Sequence, residues 1–348
     1  MKALTVIPGV AGSVEVRDIP EPAEPGPVQV RGLEVGVCGT DREIVAGEFG
    51  VAPPGEEYLV LGHESLGRVT ADASGTFAPG DLVVGIVRHP DPQPCANCAV
   101  GEWDMCRNGD YTEHGIKGLP GFARERYRLD PAFAVRLDPD VESIGVLLEP
   151  ASVVAKAWEH LERIGARAHF EPRTALVTGA GPVGLLAALL GVLRGLDVHV
   201  LDRNTTGPKP QLVADLGATH HGPSVDTVPE EVDVVLECTG APTVVFDSIY
   251  RLGPGGVGAL TGVSSMGRTL EIDAGGMNRE LVLENNAVFG SVNANRRHYE
   301  QAADALAKAD RSWLERLITR RLPLHRADEA LHTEENDVKV VIEIGEAD

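Results

Sequence analysis

The sequence predicts an α/β protein of two domains, a β-rich unit followed by a doubly wound parallel sheet. Three observations predict it. Residues 1–145 hold many short β-branched runs broken by Gly and Pro. Residues 174–290 alternate strand-like and helix-like segments, and the glycine run Gly179-Ala180-Gly181-Pro182-Val183-Gly184 falls between the first such strand and helix. The length of 348 residues is enough for a core in each domain.

Taken in order, residues 1–6, 28–31, 33–37, 67–70 and 81–87 read as short strands between turn signals, the pattern of a partly barrel-like unit. The pattern changes at Glu149. From Ala151 to Arg163, Val153, Val154, Ala157, Trp158 and Leu161 recur at helical spacing, so a helix leads out of the first domain. Residues 174–178, 198–201, 232–237, 256–260 and 287–290 then read as strands, 174–178 and 232–237 buried, with a helix over 183–193. A helical segment over 299–317 and a strand over 338–343 are expected to return to the first domain. The expected boundaries are 1–150, 151–290 and 291–348.

Charge narrows the function classes. With 31 Lys+Arg against 52 Asp+Glu the net charge is −21, a field that repels nucleic acid and anionic membrane surfaces alike. Arginine carries most of the positive charge, and the acidity suits a chain that tolerates salt or crowding. No apolar stretch reaches membrane-spanning length, and the N-terminal residues lack the basic and apolar regions of a signal peptide. Five unevenly spaced cysteines argue against a disulfide framework. They fit a cytoplasmic protein using thiols as metal ligands, with Cys238, at the end of a buried strand, as a core thiol.

The glycine run gains weight from its setting between strand and helix. Gly179 permits a tight turn, Gly181 lets backbone approach a pyrophosphate, and Gly184 allows helix and strand to pack closely. The helix N-terminus opening at Pro182 and Val183 offers free N–H groups to phosphate. Asp202 ends the second strand, 18 residues beyond Gly184, where a carboxylate grips ribose hydroxyls and disfavours a 2′-phosphate. Arg203 beside it suits adenine stacking or a 2′-phosphate. The expected cofactor is NAD, with NADP as the alternative.

Two further motifs supply metal donors. Cys38-Gly39-Thr40-Asp41 and Gly62-His63-Glu64 offer a thiolate, an imidazole and a carboxylate, the donor types of an open catalytic zinc. A second cluster, Cys95-Ala96-Asn97-Cys98 with Cys106, has the knuckle spacing of structural zinc. It lacks a fourth cysteine. Asp110, Asp104 and Asp91 are candidates, Asp110 the favoured one, and the alternative is a loop without metal whose cysteines pack as small apolar residues.

These motifs together resemble the zinc-dependent medium-chain dehydrogenase/reductase family over essentially the whole chain. Within it the sequence is similar to the archaeal-type glucose (aldose) 1-dehydrogenases, through Glu113-His114-Gly115-Ile116, Leu148-Glu149-Pro150 and Gly290-Ser291-Val292-Asn293. The resemblance implies a GroES-like catalytic domain, a Rossmann cofactor domain with the active cleft between the two, and a homodimer or homotetramer assembled partly through Rossmann-domain edges. It implies Cys38, His63, Glu64 and an exchangeable Glu149 around catalytic zinc. Thr40, Glu113, Glu149 and Asn293 would meet the sugar, and Gly262, Val263, Ser264 and Asn293 would lie along the nicotinamide. The implied reaction is oxidation of β-D-glucose at C1 to the 1,5-lactone, the proton leaving by Thr40, Glu149 or water. Another sugar, a polyol or a secondary alcohol is the alternative substrate, and a non-catalytic nucleotide-binding relative the alternative class. The sequence departs from the family's common pattern at Pro92, where many structural-zinc loops carry a ligand, and at Glu43, where many alcohol dehydrogenases carry a relay histidine.

Overall fold

A computed structural model describes every residue except Glu24, Met266, Arg268 and 346–348. The chain divides into two units: residues 1–152, 293–307 and 318–348 in the first, 153–292 and 308–317 in the second.

The first unit is built on the strand Val28–Val37. Its alternating apolar residues Val28, Val30, Val35 and Val37 are buried together with Leu61, Phe122, Tyr127 and Ile342. Around it runs a seven-stranded sheet in the order Ala134–Leu137, Leu82–Gly85, Glu64–Asp72, Val28–Val37, Lys339–Glu343 and Ile318–Pro323, with Arg126–Leu129 also pairing Val28–Val37. Antiparallel pairing sets Glu64 opposite Gly36 on one side of this central strand and Val340 opposite Val37 on the other. That register brings residues from three distant stretches of sequence to the end of the strand where Cys38 begins.

The second unit is a six-stranded, wholly parallel sheet. Its strands lie in the order Thr219–His221, Asp197–Leu201, Thr174–Thr178, Val232–Glu237, Leu252–Leu260 and Ala287–Gly290. In chain order this is 3-2-1-4-5-6, the doubly wound arrangement with its switch point between Thr174–Thr178 and Val232–Glu237. The helix Pro182–Leu193 is apolar almost throughout and buried from Gly184 to Gly191, as a helix against a parallel sheet must be.

The single helix expected over 299–317 is two, Arg296–Lys308 and Arg311–Leu317, and they divide between the units. In the first unit the Tyr299 hydroxyl accepts from Val87 N at 3.3 Å. In the second, Trp313 Nε1 donates to Leu212 O at 2.8 Å. These tertiary hydrogen bonds, which no local pattern encodes, accompany the split. No helix among the described residues is long and apolar enough to cross a membrane.

Candidate active site

Cys38 leaves the central strand and caps the helix Gly39–Val45. Its Sγ accepts from Thr40 N at 3.3 Å, while its own N–H donates to Asp41 Oδ2 at 2.9 Å, a reciprocal capping box with sulfur in the usual hydroxyl's place. The short helix therefore fixes the thiol, the half-buried Thr40 and the buried Asp41 in one turn. His63 stands just ahead of the strand Glu64–Asp72, its Nε2 at 3.0 Å from Cys38 Sγ. Its other ring nitrogen faces Asp41 Oδ1 at 3.4 Å. Burial works against a charged imidazole here, but the electrostatic pull of Cys38 and of the Asp41 carboxylate overcomes it and holds His63 well above its ordinary pKa. A cysteine sulfur and a carboxylate around a buried ring make a pocket of metal-donor atoms. A carboxylate on the far ring nitrogen is also the support that sets a ligand histidine's tautomer. By donor chemistry the pair fits zinc.

Glu64 departs from the expected ligand set. Its carboxylate pairs with the Lys339 ammonium, and both side chains are almost wholly buried. It lies outside the donor group of Cys38, Asp41 and His63, whose ligand atoms fall within 4.8 Å of one another. Gly36 explains the geometry, since a Cβ there would overlap the Glu64 carboxylate. Lys339 also donates to Val37 O at 3.2 Å, so it ties the residue before Cys38 to the residue after His63. Sequence reading missed Lys339 and the role of Asp41. A lysine opening an otherwise apolar strand was the available signal.

Glu149, in the first turn of the helix Leu148–Gly165, is buried. Burial, opposed by His63 and aided by Glu64, pushes its carboxyl up to about 7. Nearby in the same unit, Glu113 and Asn293 meet: Asn293 Nδ2 donates to Glu113 Oε1 at 2.8 Å, and both residues are buried. Glu43 is exposed on the helix of Thr40.

The three cysteines of the knuckle gather as expected, with Cys95 and Cys98 Sγ at 3.6 Å and Cys106 in the same donor group. Hydrogen bonds from Arg107 N and Cys98 N lower the Cys95 thiol to about 6, so thiolate character is already present. Asp110, the favoured fourth ligand, is exposed and outside the group. The other candidates are engaged elsewhere, Asp91 with Gln93 N and Asn108 Nδ2, and Asp104 with Asn295 Nδ2.

In the second unit the glycine run forms the turn between the strand Thr174–Thr178 and the helix Pro182–Leu193. Gly179 has φ +91°, and a Cβ at Gly184 would overlap the Gly179 carbonyl oxygen. Gly181 caps the helix without a side chain, leaving Pro182 and Val183 in its first turn. Asp202, at the strand end, accepts from Ala180 N at 2.7 Å and from Asn204 N at 2.8 Å, so its buried carboxylate braces this turn. Arg203 is exposed beside it. Across the switch point Ser264 Oγ donates to Gly240 O at 2.7 Å, Gly262 packs against Gly240 N, and Val263 is 76% exposed. Glu237, wholly buried, gathers Thr178 Oγ1 and the N–H groups of Thr239 and Gly240, shaping the second loop. Cys238 accepts from Thr261 Oγ1 at 3.3 Å, and burial pushes its thiol up to about 12, the behaviour of an inert thiol.

Residues 142–344 match the model of the glucose dehydrogenase C-terminus, and residues 24–139 that of the alcohol dehydrogenase GroES-like domain. The chain belongs to the glucose dehydrogenase family. A glucose 1-dehydrogenase of Thermoproteus tenax is 43% identical over 99% of both chains, and one of Methanocella arvoryzae 38% identical over 99% of this chain and 100% of its own. The structure of Haloferax mediterranei glucose dehydrogenase in complex with NADP, Zn and gluconolactone superposes with a TM-score of 0.92, at 35% identity over all of both chains. The GroES-like unit and the doubly wound unit expected from the sequence are those of this family.

Proposed function

We infer that the protein is a zinc-dependent dehydrogenase that oxidises β-D-glucose at C1 to glucono-1,5-lactone and passes the hydride to NAD+ or NADP+. The Cys38–His63 donor pair, backed by Asp41, carries this reading. Cys38 and His63 would hold the zinc, with Glu149, whose carboxyl feels the charge of His63, as the exchangeable ligand. When bound, zinc supplies Lewis acidity at the C1 oxygen, and the dinucleotide supplies the hydride acceptor. The Thr40 hydroxyl, fixed two residues from Cys38, would accept the C1 hydroxyl proton's hydrogen bond and orient it. Glu149, with a carboxyl near neutrality, is suited to hold a proton at its carboxylate oxygen. Glu113 and Asn293 would pair with sugar hydroxyls that an apolar pocket leaves unsatisfied. The turn of Gly179, Gly181 and Gly184 would cradle the pyrophosphate, Asp202 and Arg203 the adenosine end, and Gly262, Val263 and Ser264 the nicotinamide side.

Two finer points follow the same reasoning. The helix Ala274–Leu283 has no buried residue, and Val282 and Leu283 beside the edge strand Ala287–Gly290 are 65% and 56% exposed. An open strand edge flanked by apolar side chains suits a second copy of the chain, so we read the enzyme as a homodimer, or a tetramer of such dimers. Five free thiols suit a reducing cytoplasm.

The test is reduction of NAD+ and NADP+ across a panel of aldoses and alcohols, before and after chelation, with Cys38→Ser in parallel. Serine retains the helix cap but not the thiolate. Glucose is expected to give the highest kcat/KM, chelation to abolish turnover and added zinc to restore it, with Cys38→Ser inactive. Full turnover by metal-free Cys38→Ser would overturn the mechanism.

A further inference from the structure

Arg88 opens the short strand Arg88–His89 in the first unit and is 5% exposed. Its guanidinium donates to one oxygen of Glu113, from Nε at 3.0 Å, with Nη2 at 2.9 Å from the same atom. Asn293 Nδ2 donates to that oxygen too, at 2.8 Å. Two hydrogen bonds and an ion-pair contact therefore converge on Oε1. Among the described residues none donates to Oε2. A buried carboxylate kept only for packing would distribute its donors over both oxygens, because an unmet acceptor in a low-dielectric interior is costly. Leaving one oxygen open is what a hydroxyl-reading site requires.

The arginine is itself held on three sides. Its Nη1 donates to Asp104 O at 3.1 Å, and its Cζ lies over the Tyr111 ring, 3.8 Å from the ring centre. Asp104 sits between Cys98 and Cys106, and its carboxylate accepts from Asn295 Nδ2 at 2.8 Å, two residues beyond Asn293. Stacked below, anchored to the cysteine loop above and forked onto Glu113, the guanidinium has one orientation. Lysine, a point charge on a flexible stem, cannot reproduce it.

We propose that Arg88 is a positioning residue of the sugar site: it holds Glu113 in one rotamer, with Oε1 engaged inside the protein and Oε2 presented to one substrate hydroxyl. The inference rests on the reading of Glu113 as a sugar-binding residue. It does not require Arg88 to touch the sugar. It assigns the segment around Asp104 a second task, since the cysteine loop supplies one of the three restraints on the guanidinium.

The test compares wild type, Arg88→Lys, Glu113→Gln and the double variant Arg88→Met/Glu113→Gln, all with zinc content and Tm recorded. The double variant removes both buried charges together, so it remains informative if Arg88→Lys does not fold. Each protein is assayed for kcat and KM with glucose and with its 2-, 3-, 4- and 6-deoxy analogues. Arg88→Lys and Glu113→Gln are each expected to raise the glucose KM by about tenfold or more, beyond any fall in kcat. Both should shrink the preference for glucose over the same one deoxy analogue. The double variant should add little to Glu113→Gln, because the two residues act as one unit. If Glu113→Gln loses that preference while Arg88→Lys keeps it, the role of Arg88 is overturned and Glu113 stands. If Glu113→Gln keeps every preference, the sugar reading of Glu113 falls first. Should Arg88→Lys lose kcat equally for all five sugars together with zinc or Tm, or the double variant greatly exceed Glu113→Gln, Arg88 is a structural residue and the proposal fails.

Discussion

His63 has its two ring nitrogens facing the Cys38 sulfur and the Asp41 carboxylate, and this placement governs what its neighbours do. Asp41 orients the ring, so Asp41→Asn should weaken zinc binding by ~10–100-fold, read by competition against a chromogenic chelator. Glu149 gives a pH signature in the zinc-free protein. Burial raises its carboxyl from 4.5 to about 7, so the folded chain retains a proton that the unfolded chain releases. The stability this group contributes is complete below pH 4.5 and is lost as pH rises to 7, on the order of 3 kcal/mol in all. Glu149→Gln should accordingly melt above wild type at pH 8 and converge with it near pH 5, in thermal scans of chelated protein. A constant offset across that range would refute the assignment.

Elements position these residues by register. Glu64 and Lys339 come from the two strands flanking Val28–Val37 and meet over Gly36. Breaking a buried pair leaves one charge stranded, so Lys339→Met should cost about 3–5 kcal/mol in denaturant unfolding, and adding Glu64→Gln should recover much of it. In the second unit the strand-turn-helix at the glycine run depends on backbone contact. Gly184→Ala forces the helix away from the Gly179 carbonyl and should cost about 1–3 kcal/mol together with a loss of dinucleotide affinity, measured by melting and by NAD(P)H fluorescence titration. Retained affinity at wild-type Tm would show that helix and strand do not pack as described.

On the scale of the whole molecule the net charge of −21 makes self-repulsion a standing cost of compactness. Raising salt from about 0.01 to 1 M shortens the screening length from about 30 to 3 Å, so Tm should rise across that range. A Tm that falls instead would mean that attractive surface pairs, such as Arg126–Glu21 and Lys2–Asp18, outweigh the excess of acid. The open edge at Ala287–Gly290 belongs to the same scale. On the proposed dimer, Leu283→Glu, which puts charge on that exposed apolar face, should shift the protein toward monomer in light scattering.

What the sequence by itself determined is local. Strand periods, the glycine turn and the types of donor at Cys38, His63 and the knuckle are written within a few residues, where backbone sterics and side-chain chemistry act directly. Residues 232–237 and 287–290 read as strands and are strands, the first buried at all but Asp233 and the second a half-buried edge, because their short apolar, β-branched runs favour the extended backbone. The resemblance carried by these motifs led to the family. Only the tertiary structure decided the partners. Glu64 is drawn to Lys339, 275 residues away, by antiparallel pairing on both sides of one strand. Asp110 is exposed while the three cysteines converge, and the helix 311–317 goes with the second unit, where Trp313 finds Leu212. A buried charge takes whichever counter-charge the fold brings within reach, and that distance depends on register and packing that no short stretch of sequence contains.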